Sequence, residues 1–205
     1  MLLPGLDGTG ELFRPLLAEL LPLASRSLPT DTPFVVLGES FAGPLAVMLA
    51  RQRPPGLRGL ILCASFVGNP LRIVPSWLSP AVVAPIFRLW PALLTLRSYP
   101  RRREFGELLP LALTAIRSVS PEAVAARVRS LLNVDVREDL RTLDLPLLYL
   151  QARRDQIVRR HNLEQIRRLR PDVRVTQFDT RHFLLQLEPR RAAEAIVSFV
   201  DGLPD

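Results

Sequence analysis

The segment Gly38-Glu39-Ser40-Phe41-Ala42-Gly43 lies between a β-branched apolar run and a helix-forming stretch. A glycine two residues before the serine and an alanine two residues after it allow a sharp strand-turn-helix elbow. On such an elbow a hydroxyl projects clear of the backbone, and the following helix turns its positive end toward developing negative charge. A serine that merely caps a helix is the structural alternative for the same residues. A serine hydroxyl becomes a useful nucleophile only when a base removes its proton, and the chain has 2 histidines, His161 and His182. His182 follows the apolar run Val173 to Phe178 in a loop ahead of a helix, at the carboxyl end of a strand, where sites gather in open parallel sheets. His161, within Arg159-Arg160-His161-Asn162, reads as a surface histidine of an arginine-rich helix. An imidazole base also needs a carboxylate to fix its tautomer and stabilise its cation. Asp155 follows the apolar run Leu147 to Leu150; Asp179 lies nearer His182 in sequence but is better placed to cap the local turn. Ser40, Asp155 and His182 therefore stand in the order nucleophile, acid, base.

Those residues need strands to hold them. Short apolar runs ending in glycine-containing loops alternate with helical stretches at both ends of the chain, the pattern of a parallel sheet covered by helices, so the fold class is α/β. Predicted strands are Met1 to Pro4 (a stub), Phe34 to Leu37, Leu57 to Cys63, Leu145 to Gln151 and Val173 to Phe178. Predicted helices are Glu11 to Leu21, Leu45 to Arg53, Ile157 to Leu169 and Arg190 to Val200. From Asn69 to about Leu140 the texture changes. Prolines at 70, 75, 80, 85, 91, 100, 110 and 121 separate short apolar helical pieces, proline being tolerated in a helix's first turn. Residues 69–140 read as a helical lid inserted into a core made of 1–68 and 141–205.

Composition bounds the rest. With 205 residues, 48% hydrophobic and 23% charged, the chain can bury one sizeable core and is not a charge-rich disordered tail. The single cysteine, Cys63, cannot form an internal disulfide and reads as a buried small hydrophobe. All 27 basic residues are arginine and the net charge is +7; a solvated basic surface is the expected reading, with no nucleic-acid partner. No uninterrupted apolar run is long enough to span a bilayer and the first ten residues do not look like a signal peptide, so a soluble, cytoplasmic protein without membrane insertion is expected. Neither a Walker lysine nor a G-x-G-x-x-G spacing is present.

The stretches Leu3-Pro4-Gly5-Leu6-Asp7-Gly8-Thr9-Gly10, Gly38 to Gly43, Arg153-Arg154-Asp155-Gln156-Ile157-Val158 and Arg181-His182-Phe183-Leu184-Leu185 together resemble the α/β-hydrolase superfamily. The likeness is to bacterial hydrolases with a Leu-Pro-Gly-x-Asp-Gly-Thr-Gly loop near the amino end, and it covers essentially residues 1 to 202. By that resemblance Ser40 is the nucleophile, His182 the general base and acid, and Asp155 the orienting carboxylate. The oxyanion hole is implied to be the amides of Phe41 and Leu6, backbone donors that typically contribute about 3 kcal/mol each. Gly5, Asp7, Trp77 and Phe183 are candidate substrate contacts. Asp7 is better suited to tying its loop down, and Trp77 belongs to a lid whose apolar residues are mostly packing.

The chain departs from these relatives between the first loop and the elbow, where Pro22 to Pro33 is too short for the further strand-helix crossover that relatives have room for. A trimmed sheet of five mostly parallel strands is expected, with Leu2-Leu3 as a short edge. Right-handed crossovers dominate, so helix 11–21 would have to change faces to obey the rule; the sequence leaves open which face it covers. Apolar surface left by the trimming would be covered by a second copy, a homodimer. The expected activity is a serine carboxylesterase that cleaves small apolar esters of short to medium acyl length through an acyl-enzyme, without cofactor or metal. Acyl transfer, lactone or thioester cleavage would use the same groups, and a non-catalytic binding protein on the same fold is the alternative of another class.

Overall fold

A computed structural model describes residues 1–4, 14–20, 33–70 and 119–204, with single positions at 110 and 114. Five strands, β1 (Leu2–Leu3), β2 (Phe34–Glu39), β3 (Leu57–Cys63), β4 (Leu147–Ala152) and β5 (Arg174–Phe178), form one sheet in the order β1-β2-β3-β4-β5. Every neighbouring pair is parallel. The helices are α1 (Arg14–Leu20), α2 (Ala42–Arg51), α3 (Pro121–Asn133), α4 (Arg137–Thr142), α5 (His161–Leu169), α6 (Leu184–Leu187) and α7 (Pro189–Asp201). The fold is the α/β sheet with five strands that the sequence pattern predicts.

Burial on both faces explains why β3 and β4 read as continuous apolar runs rather than alternating ones. Leu60, Leu62, Leu147 and Tyr149 point to one face, where they meet Ala46, Val47 and Ala50 of α2, Leu140 of α4 and Leu163 and Ile166 of α5. Ile61, Cys63, Leu148 and Leu150 point to the other, against Leu16 of α1, Leu184 and Leu185 of α6, and Ile196 and Phe199 of α7. Cys63 is fully buried among them.

The face taken by α1 has a topological meaning. The strands step in the same direction at each connection, yet α2 and α5 lie on one face and α1 lies on the opposite one, packed on α7 and α6. Opposite faces with the same step mean opposite hands. Since parallel crossovers are nearly always right-handed, the placement of α1 (Arg14–Leu20) makes β1-α1-β2 the left-handed unit, and α1 does not lie on the face that the rule would require.

Some element boundaries differ from the sequence reading for local reasons. The helix expected from Ile157 starts at His161, because Asp155 Oδ1 accepts from the amides of Ile157 (2.8 Å) and Val158 (2.9 Å) and folds those residues into a turn. The helix expected from Leu45 starts at Ala42, directly after the elbow, and ends at Arg51. The short α6 was not anticipated; it follows His182 within two residues. α3 begins at Pro121, with Ser120 Oγ accepting from the Ala123 amide at 3.2 Å. The chain then returns to the sheet through a bridge between Gly68 and Asp135 and a bond from the Val136 amide to Val67 O (2.8 Å), so that Val136 and Leu140 already sit in the core ahead of position 141. The proline-punctuated part of the expected lid, 71–109, lies outside the described residues. Among the described residues no helix is long and apolar enough to cross a membrane.

Candidate active site

Ser40 sits at the end of β2 with φ 53, in the left-handed region. For a residue with a Cβ this costs about 1–3 kcal/mol and persists only where the surroundings over-determine it. Here they do. The Ser40 amide donates to Cys63 O (2.8 Å), continuing the ladder, and its carbonyl accepts from the Gly43 amide (3.1 Å). The same carbonyl accepts from Ser65 Oγ at 2.7 Å. The turn is tight enough to require glycine on both sides. A Cβ at Gly38 would lie 2.7 Å from Ala42 O, and one at Gly43 would lie 1.7 Å from Ser65 Oγ. The requirement at Gly43 lies outside the pattern of small residues two positions either side of the serine, and so is not signalled by it.

His182, in the loop between β5 and α6, reaches Ser40 across three strand ends. Its Nε2 is 2.9 Å from Ser40 Oγ and its Nδ1 is 2.7 Å from Asp155 Oδ2. With Nδ1–H donating to the carboxylate, Nε2 carries the lone pair that accepts the serine proton. The Asp155 side chain is 3% exposed and that of His182 13%. Burial disfavours the imidazolium, but the field and hydrogen bond of Asp155, with Glu39 behind, outweigh it and raise the His182 pKa above the ordinary 6.5. A hydroxyl, an imidazole and a carboxylate in this line can deprotonate the hydroxyl, hold the proton, and return it to a leaving group.

The competing residues are elsewhere. Asp179 is exposed and pairs with Arg154, Nε to Oδ1 at 3.5 Å. His161 is half-buried rather than on the surface, and the first turn of α5 forms one wall of a cavity of about 560 Å³ with Gly68, Asn69, Asn133, Arg137 and Arg168. Ser40, Asp155 and His182 do not line that cavity. Cys63 lies beneath the site, but burial, then Glu39 and Asp155, push its thiol pKa well up, so it stays protonated and is no nucleophile.

Phe41 follows Ser40 and leads into α2, so its amide belongs to the elbow. Its half-buried ring packs, with Ile157, on a buried apolar cluster of Phe66, Leu131, Leu132 and Val158. Phe183 follows His182, their ring centroids 5.8 Å apart in an edge-to-face arrangement. Gly5, Leu6, Asp7 and Trp77 lie outside the described residues. Sequence reasoning also missed Glu39, which is buried and accepts from Gln186 Nε2 at 3.1 Å. An acidic residue beside the serine within an apolar strand is the signal that could have found it.

The model of the "Alpha/beta hydrolase family" matches residues 3–195, and the chain belongs to that family. Among solved structures it is similar to an esterase from Exiguobacterium antarcticum, with a TM-score of 0.79 at 15% identity, covering 98% of this chain and 91% of that one. It is also similar to a thermophilic esterase from Thermogutta terrifontis (TM-score 0.67, 23% identity, 97% of this chain and 73% of that one). A third similar structure is the enol-lactonase from Burkholderia xenovorans LB400 (TM-score 0.65, 18% identity, 83% of this chain and 66% of that one). A search of curated proteins finds no match. At these identities the structural likeness speaks to the fold.

Proposed function

We propose that the protein is a serine carboxylesterase that cleaves small apolar esters of short to medium acyl length through an acyl-enzyme. The observation that carries this reading is the pair of hydrogen bonds joining Ser40 Oγ to His182 Nε2 (2.9 Å) and His182 Nδ1 to Asp155 Oδ2 (2.7 Å). Ser40 Oγ attacks the ester carbonyl as His182 takes its proton, while Asp155 stays ionised and stabilises the imidazolium. The carbonyl oxygen, now an oxyanion, is received by the amides of Phe41 and Leu6. The tetrahedral intermediate collapses with the alcohol leaving on the proton returned by His182. Water then repeats the sequence on the acyl-enzyme and releases the acid.

An apolar acyl site beside the hydroxyl is part of this reading, with Gly5, Asp7, Trp77 and Phe183 as the candidate contacts. Lactones and thioesters present the same electrophilic carbonyl, so pocket shape rather than the triad selects among them. The test is Ser40→Ala on a panel of p-nitrophenyl esters from acetate to palmitate, together with fluorophosphonate labelling of the unmodified protein. The expected result is loss of turnover with an unchanged circular dichroism spectrum, and rapid labelling confined to Ser40. Full turnover in the variant would overturn the reading.

A further inference from the structure

We propose that Ser65 and Tyr149 form a buried strap that positions Ser40, so that the reactivity of its hydroxyl depends on two residues that touch no substrate. The inference rests on the reading of Ser40 as nucleophile and deepens it.

The strap crosses three neighbouring strands. Tyr149, on β4, is 2% exposed and its phenolic oxygen meets both main-chain groups of Ser65. It accepts from the Ser65 amide at 3.1 Å and donates its own proton to the Ser65 carbonyl at 2.8 Å. The one donor and one acceptor that Tyr149 uses are thus both spent on a single residue of the loop after β3. Ser65 is fully buried, and its only side-chain proton goes to the Ser40 carbonyl after β2 at 2.7 Å. Burial, and then the nearby Asp155, raise the phenol's pKa, so it keeps the proton that the geometry requires.

The strap joins two strained backbones. Ser40 has φ 53 and Ala64, directly before Ser65, has φ 44, both in the region that favours glycine. Left-handed residues with side chains relax unless neighbours hold them. The bonds from the Ser40 amide to Cys63 O and from the Gly43 amide to Ser40 O are main-chain bonds that the turn makes with any side chains. The Ser65 hydroxyl is the side-chain contribution, and it occupies the space that a Cβ at Gly43 would fill. β4 also leads to Asp155, so one tyrosine ties the strand carrying the carboxylate to the turn carrying the hydroxyl.

Tyr149→Phe keeps the ring and removes the phenolic oxygen; Ser65→Ala removes the hydroxyl. Both are made, with the double variant, and measured for fluorophosphonate labelling rate, kcat and KM on p-nitrophenyl acetate, and fraction folded. The expected result for each single variant is a drop of roughly tenfold in labelling rate and kcat, with KM within about twofold. Since the two act in series, the double variant falls no further than the worse single one. Single variants that lose melting temperature but label at the wild-type rate once corrected for folded protein would overturn the strap. Tyr149→Phe, with its packing intact, decides the matter if Ser65→Ala does not fold. Wild-type protein that fails to label would overturn the reading of Ser40 itself, and with it this inference.

Discussion

Asp155 holds His182 with one carboxylate oxygen, Oδ2 at 2.7 Å from Nδ1, while its other oxygen accepts from the amides of Ile157 and Val158. One oxygen orients the imidazole and the other builds the turn that presents it. The two roles separate on substitution. Asp155→Asn reverses the favoured tautomer and should lower kcat roughly ten-thousandfold. Asp155→Ala should in addition lower stability by about 1–3 kcal/mol, because two amides lose a charged acceptor. Steady-state kinetics and urea unfolding of the two variants check the separation, and equal stabilities would contradict the second role.

The raised pKa of His182 sets the direction of the pH dependence. Turnover requires the neutral imidazole, so kcat/KM should rise with pH through a midpoint above the ordinary histidine value of 6.5. The linked stability runs the other way. A group whose pKa is higher in the folded state stabilises the fold fully below its unfolded pKa and loses that contribution as pH climbs through the folded pKa. Activity therefore appears over the interval in which His182's contribution to stability disappears. A pH-rate profile with a midpoint below 6.5 would contradict this.

Gly43→Ala should be costly although α2 would otherwise welcome alanine. The new Cβ would lie 1.7 Å from Ser65 Oγ, and overpacking of this kind typically costs about 1–3 kcal/mol. Thermal melts should show the loss, and labelling by a fluorophosphonate should slow with it. A variant as stable as the parent would mean that Ser65 can move away freely.

The sheet was legible because its strands are apolar runs closed by glycine-containing or polar loops, and the residue types that could do chemistry stand at three of those closures. That residues 142 positions apart meet is encoded by no local pattern; it was legible only through the chain order of the three residues at strand ends and the family resemblance. Tyr149 sits inside Leu147 to Ala152, where every residue is buried, and its composition says packing; only the tertiary structure sets its oxygen against Ser65. The late start of α5 was hidden for a related reason. A helical period continues through Ile157 and Val158, but a side-chain oxygen competes for their amides. The face chosen by α1 follows from which surface can bury Leu16, a property of the whole sheet.

Arg170 supplies a test of the scaffold away from the site. Mostly buried at the end of α5, it donates to the carbonyls of Leu143 (2.8 Å) and Leu145 (2.7 Å) ahead of β4 and pairs with Asp172. Arg170→Met keeps the stem but strands both carbonyls, and should cost about 2–4 kcal/mol in chemical denaturation. The kinetic constants of the folded fraction should be unchanged.

The two ends of the sheet should differ in native-state hydrogen exchange. The Leu37 amide, bonded to Met1 O at 2.9 Å, should exchange before the Leu60 amide, bonded to Pro146 O at 3.0 Å in the middle of the sheet. Equal protection at the two amides would contradict this.

The reversed hand of β1-α1-β2 gives that difference its meaning. Three connections wind in one sense and make a self-consistent spool; the first is attached against the winding. A crossover of the uncommon hand is expected to form late in folding, with strands β2 to β5 as the template and β1 joining them as a guest. Mutational damage confined to that guest should therefore be tolerated by the frame that carries positions 40, 155 and 182.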